Sequence, residues 1–124
     1  MSPKFWIVIG ALFAAVAVGA GAIATHLLRP RLDARQFQSF ETAVRYHLFH
    51  AVAIVIVGLL AAALPHVNWS IAGWLFVAGC VLFSGGIYAW LLSDVQGFVH
   101  VTPIGGLCLI AGWITVAVIA LRNL

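Results

Sequence analysis

Long apolar runs alternate with short polar interruptions along this chain. Ile7–Leu28, Leu48–Leu64, Ile71–Leu92 and Ile104–Leu121 hold almost no charge. Each approaches the ~20 residues that, at ~1.5 Å rise, cross a ~30 Å hydrocarbon layer. A helix satisfies its own backbone groups in lipid, so the pattern predicts four spanning helices. The polar positions mark the junctions. Arg29-Pro30-Arg31-Leu32-Asp33 separates the first two runs; Pro30 stops one helix and Asp33 is suited to cap the next. Pro65-His66-Val67-Asn68-Trp69 is a tight turn, which makes the second and third helices antiparallel neighbours. After Asp94–Val101, Thr102-Pro103 reads as a helix start, with Thr102 as N-cap and Pro103 at the first helical position. The predicted spans are about 4–28, 34–64, 70–93 and 103–122, within one domain covering 1–124.

The second helix, from about Ala34 to Leu64, would measure roughly 45 Å, longer than the hydrocarbon is thick. Its first turns, with Gln36, Phe37, Gln38, Phe40 and Glu41, therefore lie in the headgroup zone, and the apolar core is entered near Tyr46. A break near Phe37 is the alternative. The fold class is all-α: an integral membrane four-helix bundle whose helix two extends at its N-terminal end into the interface.

Composition excludes the soluble classes. Of the residues, 65% are hydrophobic and 7% charged, against about 25% charged in a soluble domain. The net charge is +3, but Lys4, Arg29, Arg31, Arg35, Arg45 and Arg122 are scattered and form no basic groove for nucleic acid. They read as membrane-flanking charges, and their bias towards loops one and three leans towards both termini lying outside the cytoplasm. The expected location is a cell or inner membrane, crossed several times. Lys4 and Ala20-Gly21-Ala22 faintly resemble a signal peptide, but the apolar run is long for one, so the first segment is read as a retained span. Cys80 and Cys108 would sit at depths roughly 13 Å apart, too far for a disulfide, and are read as small packing residues.

Small residues recur at helical spacing in the first segment: Ala17, Gly21, Thr25, and also Ala20, Ala24. In lipid such a pattern lets another helix approach closely. Trp6 suits the membrane interface. Gly85, Gly86, Gly105 and Gly106 mark a close crossing of helices three and four, where a lipid tail or quinone could alternatively lie.

Depth organises the remaining chemistry. Loops one and three share a side, which places His26, Glu41, Arg45, Tyr46, His47, His50, Ser84, Tyr88, Asp94, His100 and Thr102 in one half of the bundle. Polar groups are costly in lipid, so they should face inward and pair. The expectation is a hydrogen-bond cluster through His26, His50, Ser84 and Thr102. Glu41 and Arg45, four apart in the favourable order, form an interfacial ion pair that anchors helix two, or else a gate for protons or ligand. His47 and His50 share a helix face, and Tyr46 and His50 another. Haem or a metal would draw on His26, His47 and His50. A metal site wants three or four convergent ligands and the carboxylates are few, so neither a metal nor a cofactor is expected. Ser84 precedes a glycine pair without Gly-x-Ser-x-Gly or a matching acid, and no Lys follows Gly105-Gly106 to make a phosphate loop. No catalytic residue is assigned.

Four stretches fall in an order that is specific: Gly21-Ala22-Ile23-Ala24-Thr25-His26-Leu27, Thr42-Ala43-Val44-Arg45-Tyr46-His47-Leu48-Phe49-His50-Ala51, Phe83-Ser84-Gly85-Gly86-Ile87-Tyr88 and Thr102-Pro103-Ile104-Gly105-Gly106. Over nearly its whole length the chain resembles domain-of-unknown-function family 423, whose animal relative is transmembrane protein 256. The resemblance implies a small four-span membrane protein without an established activity. It also implies Gln at position 47, where this chain has His, and so leaves His26 and His50 as the matched histidines. The expected role is non-enzymatic: a structural, assembly or accessory subunit, partnered by the bilayer and by other membrane subunits or copies of itself. The alternative is a binder or conductor of a small apolar ligand (lipid, quinone) or of protons through the one-sided His/Tyr/Glu cluster.

Overall fold

A computed structural model describes all residues, Met1–Leu124. Four helices make up the molecule: α1 (Pro3–Ile23), α2 (Ala34–Ala63), α3 (Ser70–Ser93) and α4 (Thr102–Asn123). All four are long and apolar enough to cross a membrane. The protein is thus a small multi-pass membrane protein built as a four-helix bundle.

Local chemistry sets the boundaries. Ser2 caps α1 by accepting from the Phe5 N–H at 3.2 Å, with Pro3 in the first turn. Past Ile23 the helix does not stay α-helical. Ala24–Leu28 widens into a π-turn, with the Arg29 N–H bonded to the Ala24 carbonyl at 3.0 Å. Asp33 and Gln36 close a capping box: the Gln36 N–H donates to Asp33 Oδ1 at 2.8 Å, and the Asp33 N–H donates to Gln36 Oε1 at 3.1 Å. That box satisfies two otherwise orphaned donors, and α2 runs unbroken through Phe37 to Ala63. Asp94 ends α3 in the left-handed conformation, with φ 58°. A 3₁₀ turn, Gln96–His100, leads into α4. There the expected cap is not made. Thr102 is itself the first helical residue and Val101 precedes it without a side-chain cap; the Thr102 hydroxyl is buried towards Gly86 instead.

The helices pack in sequence order, α1 along α2, α2 along α3 and α3 along α4, and α1 and α4 do not close the ring. Glycine permits the close approaches. A Cβ at Gly10 would lie 2.8 Å from Val55 N, and one at Gly58 would lie 2.9 Å from Ile7 N. Those two glycines bring α1 and α2 together backbone to backbone. Gly105 does the same for α4 on α3, where a Cβ would lie 2.6 Å from the Leu82 carbonyl carbon. Among the other glycines expected at helix crossings, Gly86 meets Thr102, Gly21 and Gly106 have only ordinary contacts, and Gly85 has open space around it.

The apolar core lies towards the loop-two end. Trp6, Ile54, Val57, Trp69, Ala72, Phe76 and Leu109 are its main members. Trp6, expected at the interface, is at that end of α1 but wholly buried, because Gly73 leaves room for its six-membered ring. The inward stripe of α1 is Trp6, Gly10, Ala17 and Ala24. From Gly10 onward this is a seven-residue spacing, the period of antiparallel helices that cross at a shallow angle.

Candidate functional site

Three side chains other than apolar ones are buried: His47, His50 and Ser84. All three lie in the half nearer loops one and three. The serine makes the simplest tie. Ser84 Oγ donates to the Ala43 carbonyl at 2.8 Å and joins α3 to α2.

His50 is held from two sides. Its Nδ1 lies 2.8 Å from the Tyr46 carbonyl, and Trp113 Nε1–H donates to its Nε2 at 3.0 Å. A carbonyl only accepts and an indole N–H only donates. The imidazole is therefore the neutral tautomer with its proton on Nδ1. Tyr46 stacks on the ring at 6.0 Å and 11°, and Phe76 flanks it at 5.8 Å. Neither nitrogen is free, so a metal or haem iron at His50 would first have to displace Trp113.

His47 belongs to a different contact. Its Nδ1 is 3.1 Å from the Tyr88 hydroxyl, and the Phe13 ring meets it edge-on at 5.9 Å. It borders a groove of about 260 Å³ between α1 and α3, together with Val16, Cys80 and Val81. Three residues along a helix rotate by about 60° net. That rotation is enough to turn His47 and His50 to opposite flanks of α2, rather than onto one shared surface.

His50 instead borders a cleft of about 600 Å³ between α2 and α4. Phe83 of α3 belongs to its lining, as do Tyr46, Phe49, Leu109, Ile110 and Trp113. Arg45 and Gly106 also line it. Both flanking helices run inward from the loop-one and loop-three side. Arg45 and Gly106 are therefore at the shallow end and Trp113 at the deep end.

The single cluster expected from the sequence is thus resolved into three separate ties, Ser84 to Ala43, His47 to Tyr88, and Trp113 to His50. His26 is not brought to His50. It is exposed in the π-turn and makes no hydrogen bond. The reason is angular: it lies two residues past the inward-facing Ala24, on the outer side of the widened turn. Glu41 and Arg45 are both exposed and form no ion pair. Thr102 Oγ1 is buried without a partner. No three His, Cys, Asp or Glu side chains gather as a metal site, and both cysteines are free thiols.

Trp113, the donor to His50, is the member of this candidate site that sequence reasoning missed. One signal pointed to it: an indole N–H far from either end of a span needs an acceptor inside the protein, and His50 is the imidazole at matching depth on a parallel helix.

Comparison with known proteins adds family but no activity. Residues 20–106 match the family described as protein of unknown function, DUF423. UPF0382 membrane protein YwdK of Bacillus subtilis is 37% identical over 122 residues, covering 98% of this chain and 99% of that protein. UPF0382 membrane protein SAB0533 of Staphylococcus aureus is 38% identical over 112 residues, 90% of each chain. UPF0382 membrane protein SH2409 of Staphylococcus haemolyticus matches at 38% over the same length, again covering 90% of each chain. No solved structure matches significantly. With its four apolar helices and a family match that takes in α2, α3 and the start of α4, the chain belongs to the DUF423 family of membrane proteins.

Proposed function

We propose that this protein binds one acidic amphiphile of the membrane in the cleft between α2 and α4. The observation that carries the reading is the cleft's polarity along the membrane normal. Arg45 stands at its shallow end without a carboxylate partner, and Tyr46, Phe49, Phe83, Leu109 and Trp113 make its deeper walls. About 16 Å of helix separates Ala34 from Arg45 and about 27 Å separates Arg45 from Ala63, so Arg45 lies near the hydrocarbon boundary. An anionic head would pair with the guanidinium there, while the chain or ring lies against aromatic surface. A cleft of about 600 Å³ is in the range of small-molecule sites, ~300–1,000 Å³.

The test is native mass spectrometry of protein released from nanodiscs of mixed lipid headgroups. Wild type should retain one acidic lipid. Arg45→Gln should lose the headgroup preference, and Gly106→Leu should empty the cleft. Gly106 suits this purpose because a Cβ there meets Phe83 only at 3.6 Å, leaving the added side chain to project along the cleft. Equal lipid retention by wild type and Gly106→Leu would sink the reading.

A second reading, an accessory subunit, draws on the outward face of α1. Ala11, Ala15 and Gly19 line one side of that helix, and a Cβ at Gly19 would touch nothing within 4 Å. Small residues at this spacing let a helix of another chain approach closely. Co-purifying chains lost in Gly19→Leu but kept in Gly106→Leu would favour it.

A further inference from the structure

The chain between α3 and α4 turns back towards the bundle instead of leaving it. α3 ends at Ser93, and Asp94 reverses direction in the left-handed conformation, φ 58°. The Asp94 N–H donates to the Trp90 carbonyl at 2.8 Å and the Val95 N–H to Ser93 Oγ at 3.3 Å, which fixes the reversal. The 3₁₀ turn Gln96–His100 then descends beside α3. Gly86 marks how far: a Cβ there would lie 3.3 Å from the Phe98 carbonyl and 2.9 Å from Thr102 Oγ1. Gly86 precedes the end of α3 at Ser93 by about 10 Å of helix.

The level can be carried across to α2. Gly86 lies between Ser84, bonded to the Ala43 carbonyl, and Tyr88, bonded to His47. Phe98 is therefore level with residues 43–47, and so with Arg45 at the hydrocarbon boundary. Together with α4 the turn makes one helical stretch, Gln96–Asn123, apolar enough to cross a membrane. It is the first part of the fourth crossing rather than a link outside it.

The side chains suit that level. Leu92 is 70% exposed, Val95 51%, Phe98 38% and Val99 40%. Side chains three apart eclipse in a 3₁₀ turn, so Val95, Phe98 and Val101 form one apolar column, with Val99 in the next. No Lys, Arg or Glu occurs between Leu92 and Thr102, and the one charge, Asp94, sits at the reversal. Contiguous exposed apolar side chains are unfavourable in water and mark a contact surface. His100 shares the level, and an imidazole can lay its apolar edge along the boundary with its nitrogens towards the headgroups.

We infer that loop three is a membrane-inserted segment, with Val95, Phe98 and Val99 entering the boundary between acyl chains and headgroups of the adjacent leaflet. Its partner is the lipid surface, entered to the ~5–10 Å depth of interfacial segments. Asp94 and Gln96 stay among the headgroups. The insertion holds the α3–α4 hairpin at one depth without the arginines that flank loop one, Arg29, Arg31 and Arg35.

The test reads depth residue by residue. Full-length wild-type protein labelled with ¹⁵N, in phosphatidylcholine nanodiscs, is exposed to two broadening agents. One is phosphatidylcholine carrying a nitroxide near the top of its acyl chain; the other is a water-soluble gadolinium chelate. The nitroxide lipid should bleach the amide signals of Val95, Phe98 and Val99, and the chelate should bleach Asp94 while sparing them. In Phe98→Asp the segment should lift, so that Val95 and Val99 become sensitive to the chelate while Ile54, midway along α2, does not. Wild-type spectra decide alone if that variant misfolds. Phe98 and Val99 bleached by the chelate as strongly as Asp94 would overturn the inference and put the loop in water. Signals that neither agent reaches would overturn it as well, since another chain would then cover the segment.

Discussion

Trp113 Nε1–H donates to His50 Nε2 across 3.0 Å and ties α4 to α2, two helices that do not follow one another in the packing order. The bond also sets the imidazole tautomer, because the Tyr46 carbonyl claims the proton on Nδ1. Replacing Trp113 by Phe keeps much of the apolar surface and strands an acceptor. The expected cost is about 0.5–2 kcal/mol, the range of hydrogen bonds between membrane helices. Thermal unfolding in mild detergent should show a lowered midpoint, with His50→Leu/Trp113→Phe recovering part of the loss. A double variant no better than the sum of the singles would remove the coupling.

On the other flank of α2, Tyr88 and His47 make the corresponding tie at 3.1 Å. Tyr88→Phe should destabilise by about 0.5–2 kcal/mol, since the hydroxyl is lost and the ring remains. His47→Gln should be milder than His47→Leu, because an amide also bonds to a phenol. Denaturation of the three variants side by side checks the ranking. Equal stability of His47→Gln and His47→Leu would show the bond to be dispensable.

Two glycines that look alike in sequence should behave oppositely. Gly105→Ala drives a methyl into the α3 backbone at Leu82 and Phe83, whereas Gly85→Ala meets open space. The first should cost about 1–3 kcal/mol or more, as overpacking does. The second should be neutral or slightly stabilising, because Gly lowers helix stability relative to Ala by about 1 kcal/mol. Comparing the detergent-resistant folded fraction on heating separates the two.

The capping box at the start of α2 carries its own prediction. Asp33→Ala removes the acceptor of the Gln36 N–H, and its partner contact from the Asp33 N–H to Gln36 Oε1 loosens with it. The expected loss is about 0.5–2 kcal/mol. It should act locally, as faster amide exchange over the first turns of α2 with little change near His50. Exchange that rises equally along the whole helix would mean the cap is coupled to the entire bundle.

Much of this architecture was legible in one dimension. Four spans follow from run length and from the absence of charge, because a bilayer is a solvent that rejects ions and unpaired backbone. Pro30, Asp33 and Pro65 placed the first two breaks, since proline lacks an N–H and aspartate accepts one. The candidate site was legible only in depth. His50, Ser84, Tyr46 and Tyr88 could be assigned to one half of the molecule by counting residues, but rotation about each helix axis could not be counted the same way. His26 shows the consequence: it lies at a suitable depth and faces out, two residues on from the inward stripe at Ala24.

What the sequence alone determined is therefore the solvent, the number of crossings and the level of each polar side chain. Hydrophobic length and charge are sums along the chain and need no partner to be evaluated. Which groups meet was settled by packing. The Trp113–His50 and Tyr88–His47 bonds, and the buried indole donors of Trp6 and Trp69, depend on how glycines at positions 10, 58, 73 and 105 let the helices approach and turn. Hydrogen bonds have a reach of about 3 Å, so a rotation that leaves every residue at its depth can still make or break each of them.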